Sequence, residues 1–173
     1  MDKTALNKIK ALAFDVDGVL TDGGILWGPN GEEWKRFHFS DIMGISLARR
    51  AGFALALISG ENSPLVDRYA AKMHIQHIYK GCRDKAAAVR EFASAVDVDL
   101  SEICFFGDDV NDLPAIKLCG MSAAPANAAR DVLACANFIS TKNGGNGAVR
   151  ELVDALLDAR GLNLLELFQR KME

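Results

Sequence analysis

Short apolar runs alternate along the chain with longer amphipathic stretches, and the two patterns predict different elements. Six apolar runs predict β-strands at residues 9–14, 53–58, 75–79, 103–106, 120–122 and 138–139. Apolar residues spaced three and four apart predict helices at residues 41–51, 63–73, 84–96, 112–118, 128–134, 148–159 and 162–171. Because strands and helices alternate and the strands are almost entirely apolar, we expect an α/β fold in which helices cover both faces of a parallel sheet.

One segment departs from this alternation. Residues 24–39 are typical of a β-hairpin, with two short strands around the turn Gly-Pro-Asn-Gly. The segment carries four aromatic side chains, Trp27, Trp34, Phe37 and Phe39. Because an isolated two-stranded hairpin is marginally stable in water, we expect either the parent domain or a second subunit to cover these rings.

Composition narrows the class of protein. The chain has 173 residues, of which 50% are hydrophobic and 25% charged, as in an ordinary globular protein, so we expect residues 1–173 to form one domain. A net charge of −3 argues against nucleic acid as the main partner. The longest apolar run, residues 51–58, is too short for a membrane span, and no signal peptide is visible, so we expect a cytoplasmic protein.

The four cysteines give no sign of a metal site. They are widely spaced, without the paired spacing of zinc ligands: Cys82, Cys104, Cys119 and Cys135. We expect buried, reduced thiols that act as small hydrophobic side chains.

Polar residues follow the predicted strands at the points where they end. They are Asp15 and Asp17 after the first strand, Ser59, Gly60 and Glu61 after the second, and Asp108, Asp109 and Asp112 after the fourth. Lys85 lies near the start of the helix that precedes the fourth strand. Because ligands of open α/β sheets bind at the carboxyl ends of the strands, we expect these residues to form one site.

Such a cluster of carboxylates calls for a counter-ion. Asp15, Asp17, Asp108 and Asp109 would repel one another or take up protons if brought together without one. Mg²⁺ suits a site that offers a few carboxylates together with water and a phosphate. A cation such as Lys85 in the first turn opposes the helix dipole, so we expect it to face an anion.

Each of these features alone has an ordinary structural interpretation. Asp112 followed by Leu-Pro is a plausible helix cap, Ser59-Gly60 reads as a turn, and Lys85 reads as a surface residue. Their occurrence together, each at a strand end or a helix start, is much more specific than any one of them.

The same residues carry a resemblance to a known family. The run from Asp15 to Gly23, Asp-Val-Asp-Gly-Val-Leu-Thr-Asp-Gly, resembles the first motif of the haloacid-dehalogenase-like phosphohydrolases. Ser59, Lys85 and the segment Gly-Asp-Asp-Val-Asn-Asp at residues 107–112 resemble the second, third and fourth motifs. More narrowly, the chain resembles the small phosphatases that act on 3-deoxy-D-manno-octulosonate 8-phosphate and their relatives that act on nine-carbon sugar acid phosphates.

The narrower resemblance covers nearly the whole chain. It rests on Thr-Asp-Gly at residues 21–23, the hairpin, Asp-x-x-Gly-Ile at residues 41–45, and Gly-Gly-Asn-Gly-Ala-Val-Arg-Glu at residues 144–151. It implies a Rossmann-like fold without an inserted cap domain, the C0 type. The spacing agrees, because about 40 residues separate the first two motifs and about 25 the next two, too few for a further domain.

The resemblance also implies roles for the site residues. Asp15 would be the nucleophile that forms an aspartyl-phosphate, and Asp17 the general acid and base. Mg²⁺ would be held by the Asp15 side chain, the Asp17 backbone carbonyl and Asp108. The phosphate would be bound by Ser59, Gly60 and Lys85, while Asp109 and Asp112 would orient water ligands and Lys85.

Substrate and assembly are further expectations from the resemblance. The related phosphatases are tetramers in which a neighbouring subunit covers the site, so we expect a homo-oligomer, most simply a tetramer. We favour the eight-carbon sugar acid phosphate of lipopolysaccharide precursor synthesis, with 2-keto-3-deoxynononate 9-phosphate or N-acetylneuraminate 9-phosphate as the alternative. Glu61 and Lys72 match the nine-carbon relatives, and Arg150 is a candidate for binding a carboxylate or phosphate.

Two other classes of protein stay open at this point. A receiver-type signalling domain also uses aspartate, Ser/Thr, lysine and Mg²⁺, but there the phosphorylated aspartate follows a later strand. A catalytically silent oligomerisation module is the other alternative, although Asp15, Asp17, Ser59, Lys85 and Asp108 are all present here. Turnover that depends on Mg²⁺ separates an enzyme from both.

Overall fold

A computed structural model describes residues 3–169 and contains a six-stranded parallel sheet. The strands of this sheet are β1 Ala11–Phe14, β4 Ala54–Ile58, β5 His77–Tyr79, β6 Ile103–Phe106, β7 Met121–Ala124 and β8 Phe138–Ile139. A separate antiparallel pair is formed by β2 Leu26–Trp27 and β3 Glu33–Trp34. The α/β fold expected from the alternation of strands and helices is confirmed.

Eight helices accompany the strands in the described part of the chain. They are α1 Lys3–Lys8, α2 Phe39–Arg50, α3 Pro64–Met73, α4 Lys85–Ala95, α5 Leu113–Leu118, α6 Arg130–Leu133, α7 Ala148–Ala159 and α8 Leu164–Gln169. Two short 3₁₀ turns, Leu100–Glu102 and Val110–Asp112, flank β6. None of the described helices is long and apolar enough to cross a lipid bilayer.

The sheet separates two hydrophobic cores. Along β1, Leu12 and Phe14 contribute to a core shared with α2 and α7, whereas Ala11 and Ala13 face a second core shared with α4. Successive residues of a strand point to opposite faces, so a strand buried on both faces must be apolar at every position. This explains why the strand sequences show no polar alternation.

The strand order places β1 at the centre of the site. The order is β5-β4-β1-β6-β7-β8. Strands β4 and β5 are therefore added on one side of β1, and β6, β7 and β8 are then added on its other side. A crevice opens at the carboxyl ends of two neighbouring strands where the order reverses in this way, here β1 and β6. Residues that follow these two strands therefore meet across the crevice.

The hairpin is present, and its aromatic side chains have different surroundings. Phe37 bridges back to Thr21 and stacks on Tyr69 of α3 with ring centroids 4.3 Å apart, so the parent domain covers this ring. Trp27 is 77% exposed, and Trp34 is also exposed. Phe39 begins α2 instead of ending the hairpin, and it is exposed as well.

A few element boundaries differ from the predictions. Helix α1 was not predicted, because six residues with one buried side chain, Leu6, give little periodicity. The first strand begins at Ala11, two residues later than predicted, because Ile9 lies in the turn after α1. The predicted tail helix begins at Leu164 in the described part of the chain, and its last two predicted residues lie outside the described residues. Of the four free cysteines, Cys104 is buried, Cys82 and Cys119 are half-buried and Cys135 is exposed, so the expectation of buried thiols holds only for Cys104.

Candidate active site

Asp15 and Asp108 lie side by side where β1 and β6 end. The backbone N–H of Asp15 donates to the Phe106 carbonyl over 2.9 Å, which fixes the end of β1 against the end of β6. Asp15 is buried, and Asp108 is half-buried. The fold therefore brings together two carboxylates that are more than ninety residues apart in the sequence.

Lys85 connects these two loops from the first turn of α4. Its Nζ lies 2.9 Å from Asp15 Oδ1 and 2.6 Å from Asp112 Oδ1. Its side chain is 1% exposed, and buried lysines are rare unless they are paired. Although burial opposes it, the two carboxylates raise the pKa of Lys85, so the ammonium stays charged. The prediction that Lys85 faces an anion holds, and the anions in contact are Asp15 and Asp112.

Asp112 organises the turn after β6. Its Oδ2 accepts hydrogen bonds from the backbone N–H groups of Asp108 at 2.9 Å and Asp109 at 3.3 Å, while its Oδ1 pairs with Lys85. The Asp109 side chain accepts from the N–H of Val110 and caps the following 3₁₀ turn. Both oxygens of Asp112 are therefore engaged within the protein, which fits the positioning role expected for it.

The electrostatics of this cluster favour a bound cation. One oxygen from each of Asp15, Asp108 and Asp112 lies within 4.8 Å of the others. Burial, followed by the neighbouring carboxylates, raises the pKa of Asp15 and of Asp108 above the ordinary value of 3.8. Among the described residues, Asp108 Oδ1 is buried and has no hydrogen-bond partner. An oxygen-seeking divalent cation would supply both the missing partner and the missing positive charge.

Gly18 is required by this geometry. Its φ is +87°, and a Cβ there would lie 2.0 Å from Asp108 Oδ2. Only glycine allows the first loop to approach the Asp108 carboxylate so closely.

The loop after β4 forms the opposite wall. Ser59 is buried, and its Oγ accepts from the N–H of Glu61 over 3.1 Å. Gly60 and Glu61 line a cleft of about 280 Å³. The other residues that line it are Asp15, Asp17, Gly18, Gly23, Lys85, Asp108, Asp109 and Asn111. The fold thus brings most of the predicted site residues to one cleft.

Two predicted specificity residues lie elsewhere in the single chain. Lys72 on α3 lines a neighbouring groove, with its Nζ 5.4 Å from the centroid of the Phe39 ring. Arg150 on α7 pairs with Asp154, with 2.7 Å between Nε and Oδ1, and lies outside the cleft.

Two contributions to the region around the site were missed at the sequence level. The Nζ of Lys35, on the hairpin, lies 2.8 Å from Asp17 Oδ1 and 3.5 Å from Glu33 Oε1. Although burial opposes it, both carboxylates raise the pKa of Lys35. Asp41 is fully buried and accepts from the N–H groups of Gly147 at 3.0 Å and Arg150 at 2.9 Å. The charged residues within the aromatic hairpin were the available signal for Lys35, whereas the Asp41 contacts span more than a hundred residues.

Comparison with known proteins identifies this arrangement. Residues 55–152 match the family model described as haloacid dehalogenase-like hydrolase. The 3-deoxy-D-manno-octulosonate 8-phosphate phosphatase of Haemophilus influenzae is 37% identical over 156 residues, which cover 90% of this chain and 87% of that protein.

Solved structures agree with the sequence comparison. The 3-deoxy-D-manno-octulosonate 8-phosphate phosphatase of Moraxella catarrhalis, crystallised in complex with a magnesium ion, a phosphate ion and a KDO molecule, superposes with a TM-score of 0.90. It is 36% identical, with 96% of this chain and 94% of that chain covered. The cobalt-bound deoxy-D-mannose-octulosonate 8-phosphate phosphatase of Haemophilus influenzae gives a TM-score of 0.90 at 35% identity, covering 96% and 99% of the two chains.

The fold and the carboxylate cleft are those of a hydrolase of the haloacid dehalogenase type. The chain belongs to this family and, within it, to the group that contains the 3-deoxy-D-manno-octulosonate 8-phosphate phosphatases. The resemblance inferred from the four sequence motifs is confirmed.

Proposed function

We propose that this chain is a Mg²⁺-dependent phosphatase that hydrolyses 3-deoxy-D-manno-octulosonate 8-phosphate through an aspartyl-phosphate on Asp15. The observation that carries the proposal is the pairing of buried Asp15 with Lys85 beside an Asp108 oxygen that has no hydrogen-bond partner within residues 3–169. This arrangement offers a nucleophile and a cation site within one cleft. The substrates named for the relatives supply the choice of sugar acid.

Asp15, the backbone carbonyl of Asp17, and Asp108 would hold the Mg²⁺. When bound, the ion supplies positive charge that neutralises the carboxylates and the non-bridging oxygens of the phosphate. Both oxygens of Asp112 already have partners within the protein, so we assign Asp112 to the positioning of Lys85 and of the turn after β6. Asp109 lies at the cleft and would orient water ligands.

The chain's own residues divide the reaction into two displacements. In the first, an Asp15 oxygen attacks phosphorus, the bond from phosphorus to the sugar oxygen breaks, and Asp17 donates a proton to that oxygen. In the second, Asp17 accepts a proton from water, the water oxygen attacks phosphorus, and the bond to Asp15 breaks. Inorganic phosphate and the free Asp15 carboxylate result.

Lys85, Ser59 and Gly60 would receive the transferred phosphoryl group. Lys85 holds Asp15 Oδ1 and so fixes the orientation of the attacking carboxylate, and it also provides charge at the cleft. Gly60 lines the opposite side of the cleft, whereas Ser59 is buried behind that lining and would contribute its hydroxyl from the same loop. Charge on the phosphoryl oxygens is then met from both walls.

The nine-carbon sugar acid phosphates are the alternative substrates, and Glu61 favours them. Glu61 lines the cleft, where its carboxylate would bind hydroxyl groups better than it would bind a second carboxylate. Neither Lys72 nor Arg150 lines the cleft of its own chain. Each would therefore contact a substrate only if assembly placed it next to the cleft of a neighbouring subunit.

Assembly and location complete the proposal. Residues 1–173 would form one capless domain, because the connection from β1 to β4 is occupied by the hairpin and α2. We place the enzyme in the cytoplasm as a homotetramer, in which the exposed Trp27 and Trp34 pack against other copies and cover the cleft. Light scattering would test this, since an active species with the monomer mass of 18.7 kDa contradicts the assembly.

The experiment that tests the activity is phosphate release with and without Mg²⁺. The substrates are octulosonate 8-phosphate, nonulosonate 9-phosphate, N-acetylneuraminate 9-phosphate and simple sugar phosphates. We expect preference for the eight-carbon acid, and no turnover by Asp15→Asn although its circular dichroism spectrum matches the wild type. Preference for a nine-carbon acid would contradict the eight-carbon substrate and support Glu61 as the residue that selects the substrate. Near-full activity of Asp15→Asn would contradict Asp15 as the nucleophile.

A further inference from the structure

The hairpin buries a charge while it exposes its aromatic side chains. The Lys35 side chain is 1% exposed, whereas Trp27 and Trp34 on the same hairpin are exposed. Withdrawing an ammonium group from water is strongly unfavourable unless a counter-charge compensates. The buried lysine is therefore the hairpin's point of contact with the rest of the site.

The counter-charge is the carboxylate assigned to proton transfer. Lys35 Nζ lies 2.8 Å from Asp17 Oδ1, and Asp17 lines the cleft next to Asp15. Within residues 3–169, Asp17 Oδ2 has no hydrogen bond or ion pair of its own, so it stays available to a leaving group or a water molecule. Lys35 thus holds Asp17 Oδ1 from the hairpin side, and Asp17 Oδ2 is the oxygen that can exchange a proton with the substrate.

The lysine is itself held in place from a third element. Glu33 Oε1 lies 3.5 Å from Lys35 Nζ and accepts a hydrogen bond of 3.2 Å from the Ser63 hydroxyl. Ser63 is the N-cap of α3, where its Oγ accepts from the N–H of Leu65. A chain of polar contacts therefore runs from the start of α3 through the hairpin to Asp17.

We propose that Lys35 is a positioning residue that orients the Asp17 carboxyl group for proton transfer to the leaving oxygen. This inference rests on the proposed phosphatase function. In the step concerned, the bond from phosphorus to the leaving oxygen breaks, its electron pair stays on that oxygen, and the Asp17 proton is transferred to it. The contribution of Lys35 is to keep Asp17 Oδ2 directed into the cleft.

The requirement for that proton depends on the leaving group. A sugar alkoxide is a poor leaving group and needs protonation, whereas p-nitrophenolate leaves without it. The first displacement on p-nitrophenyl phosphate is therefore independent of a well-placed Asp17. A purely structural role for Lys35 would affect both substrates alike, so the comparison separates the two roles.

The test compares Lys35→Met, Lys35→Arg and the control Arg36→Met. Arg36 pairs with Asp22 at 2.9 Å and so also ties the hairpin to the first loop, without contact to Asp17. For Lys35→Met we expect kcat on the wild type's best sugar acid phosphate to fall about 30-fold or more, which is part of the roughly 10²–10⁴-fold contribution of acid–base catalysis. The p-nitrophenol burst measured by stopped flow should keep its wild-type rate within about 3-fold.

Two further results complete the test. Lys35→Arg should recover most of the sugar phosphate activity, and Arg36→Met should behave as the wild type. Equal losses on both substrates, or the same selective loss in Arg36→Met, would overturn the positioning role. If Lys35→Met does not fold, Lys35→Gln takes its place. Failure of the proposed function gives a different result, because wild-type protein would then release no phosphate from any substrate.

Discussion

Lys85 and Asp112 form an ion pair of 2.6 Å in which neither side chain is more than 1% exposed. The pair joins the first turn of α4 to the turn after β6. Because Lys85 also contacts Asp15, the position of the proposed nucleophile depends on a residue that lies on neither of its neighbouring strands. The consequences of this arrangement can be measured as stability and as turnover.

Asp112→Asn should lower the free energy of unfolding by about 3 kcal/mol, because removal of one member of a buried pair leaves the other charge under-compensated. Urea denaturation measures the change. Asp158→Asn on an exposed position of α7 is the control and should change stability by about 0.5 kcal/mol or less. A loss in Asp112→Asn no larger than in the control would argue against a structural role for the pair.

Metal-free protein should lose stability as the pH rises toward neutrality. Burial raises the pKa of Asp15 and Asp108 in the folded state, so that state keeps protons that the unfolded chain releases above its ordinary pKa of 3.8. Their contribution to stability is therefore fully present below that pKa and declines through the raised values. Asp108→Asn should be more stable than the wild type without metal, by a margin that grows with pH. A margin independent of pH would contradict this.

Mg²⁺ should reverse that loss in the wild type. At a concentration 100-fold above its Kd, the ion should add about 2.7 kcal/mol to the free energy of unfolding. Differential scanning fluorimetry at neutral pH should show a rise in Tm for the wild type and little change for Asp108→Asn. An equal rise in Tm in both proteins would contradict the assignment of Asp108 as a ligand of the cation.

Gly18→Ala should abolish most activity, because the new methyl group would lie 2.0 Å from Asp108 Oδ2 and must displace that carboxylate. We expect kcat to fall about 100-fold, the scale associated with misplacement of a catalytic group by 1 Å. The matched control is Gly31→Ala, because Gly31 has φ +88° and no atom of the described residues lies within 4 Å of the position that its Cβ would take. Both variants carry backbone strain of about 1–3 kcal/mol, and equal kcat values in the two would contradict a displaced Asp108 carboxylate.

Asp41→Ala should lower the free energy of unfolding by about 3 kcal/mol, because it leaves the N–H groups of Gly147 and Arg150 without their acceptor. The control Asp154→Ala removes the partly exposed ion pair between Asp154 and Arg150 on α7, and it should lower the free energy of unfolding by about 1 kcal/mol or less. Chemical denaturation of the two variants checks the difference. Similar losses would mean that the two hydrogen bonds to Asp41 contribute no more to stability than the ion pair between Arg150 and Asp154.

The sequence predicted the sheet well because its strands are buried on both faces. Residues 103–106 and 138–139 were predicted with the boundaries that the structure has. The meeting of most candidate site residues at one cleft was predictable for the same reason, since a polar residue directly after an apolar parallel strand lies at the carboxyl end of the sheet. The first helix was missed because its six residues bury only Leu6.

The contacts made across the fold were harder to predict. The Lys35–Asp17 pair depends on how the hairpin folds back over the first loop, and no periodicity encodes that path. Asp41 lies more than a hundred residues from the loop it caps, so neither sequence segment indicates the other. Arg150 was a reasonable candidate for binding an anion, yet in the single chain it is paired with Asp154.

The parallel pairing of β1 with β6 aligns Ala11 with Ile103, two residues about ninety positions apart. Closing so long a loop is slow compared with forming a helix or a hairpin, and non-local strand pairing is what limits the folding rate of such topologies. The two halves of the cleft meet only when this pairing is complete. The time at which turnover recovers during refolding therefore reports when β1 and β6 have paired, because a chain that has formed only its helices has no cleft.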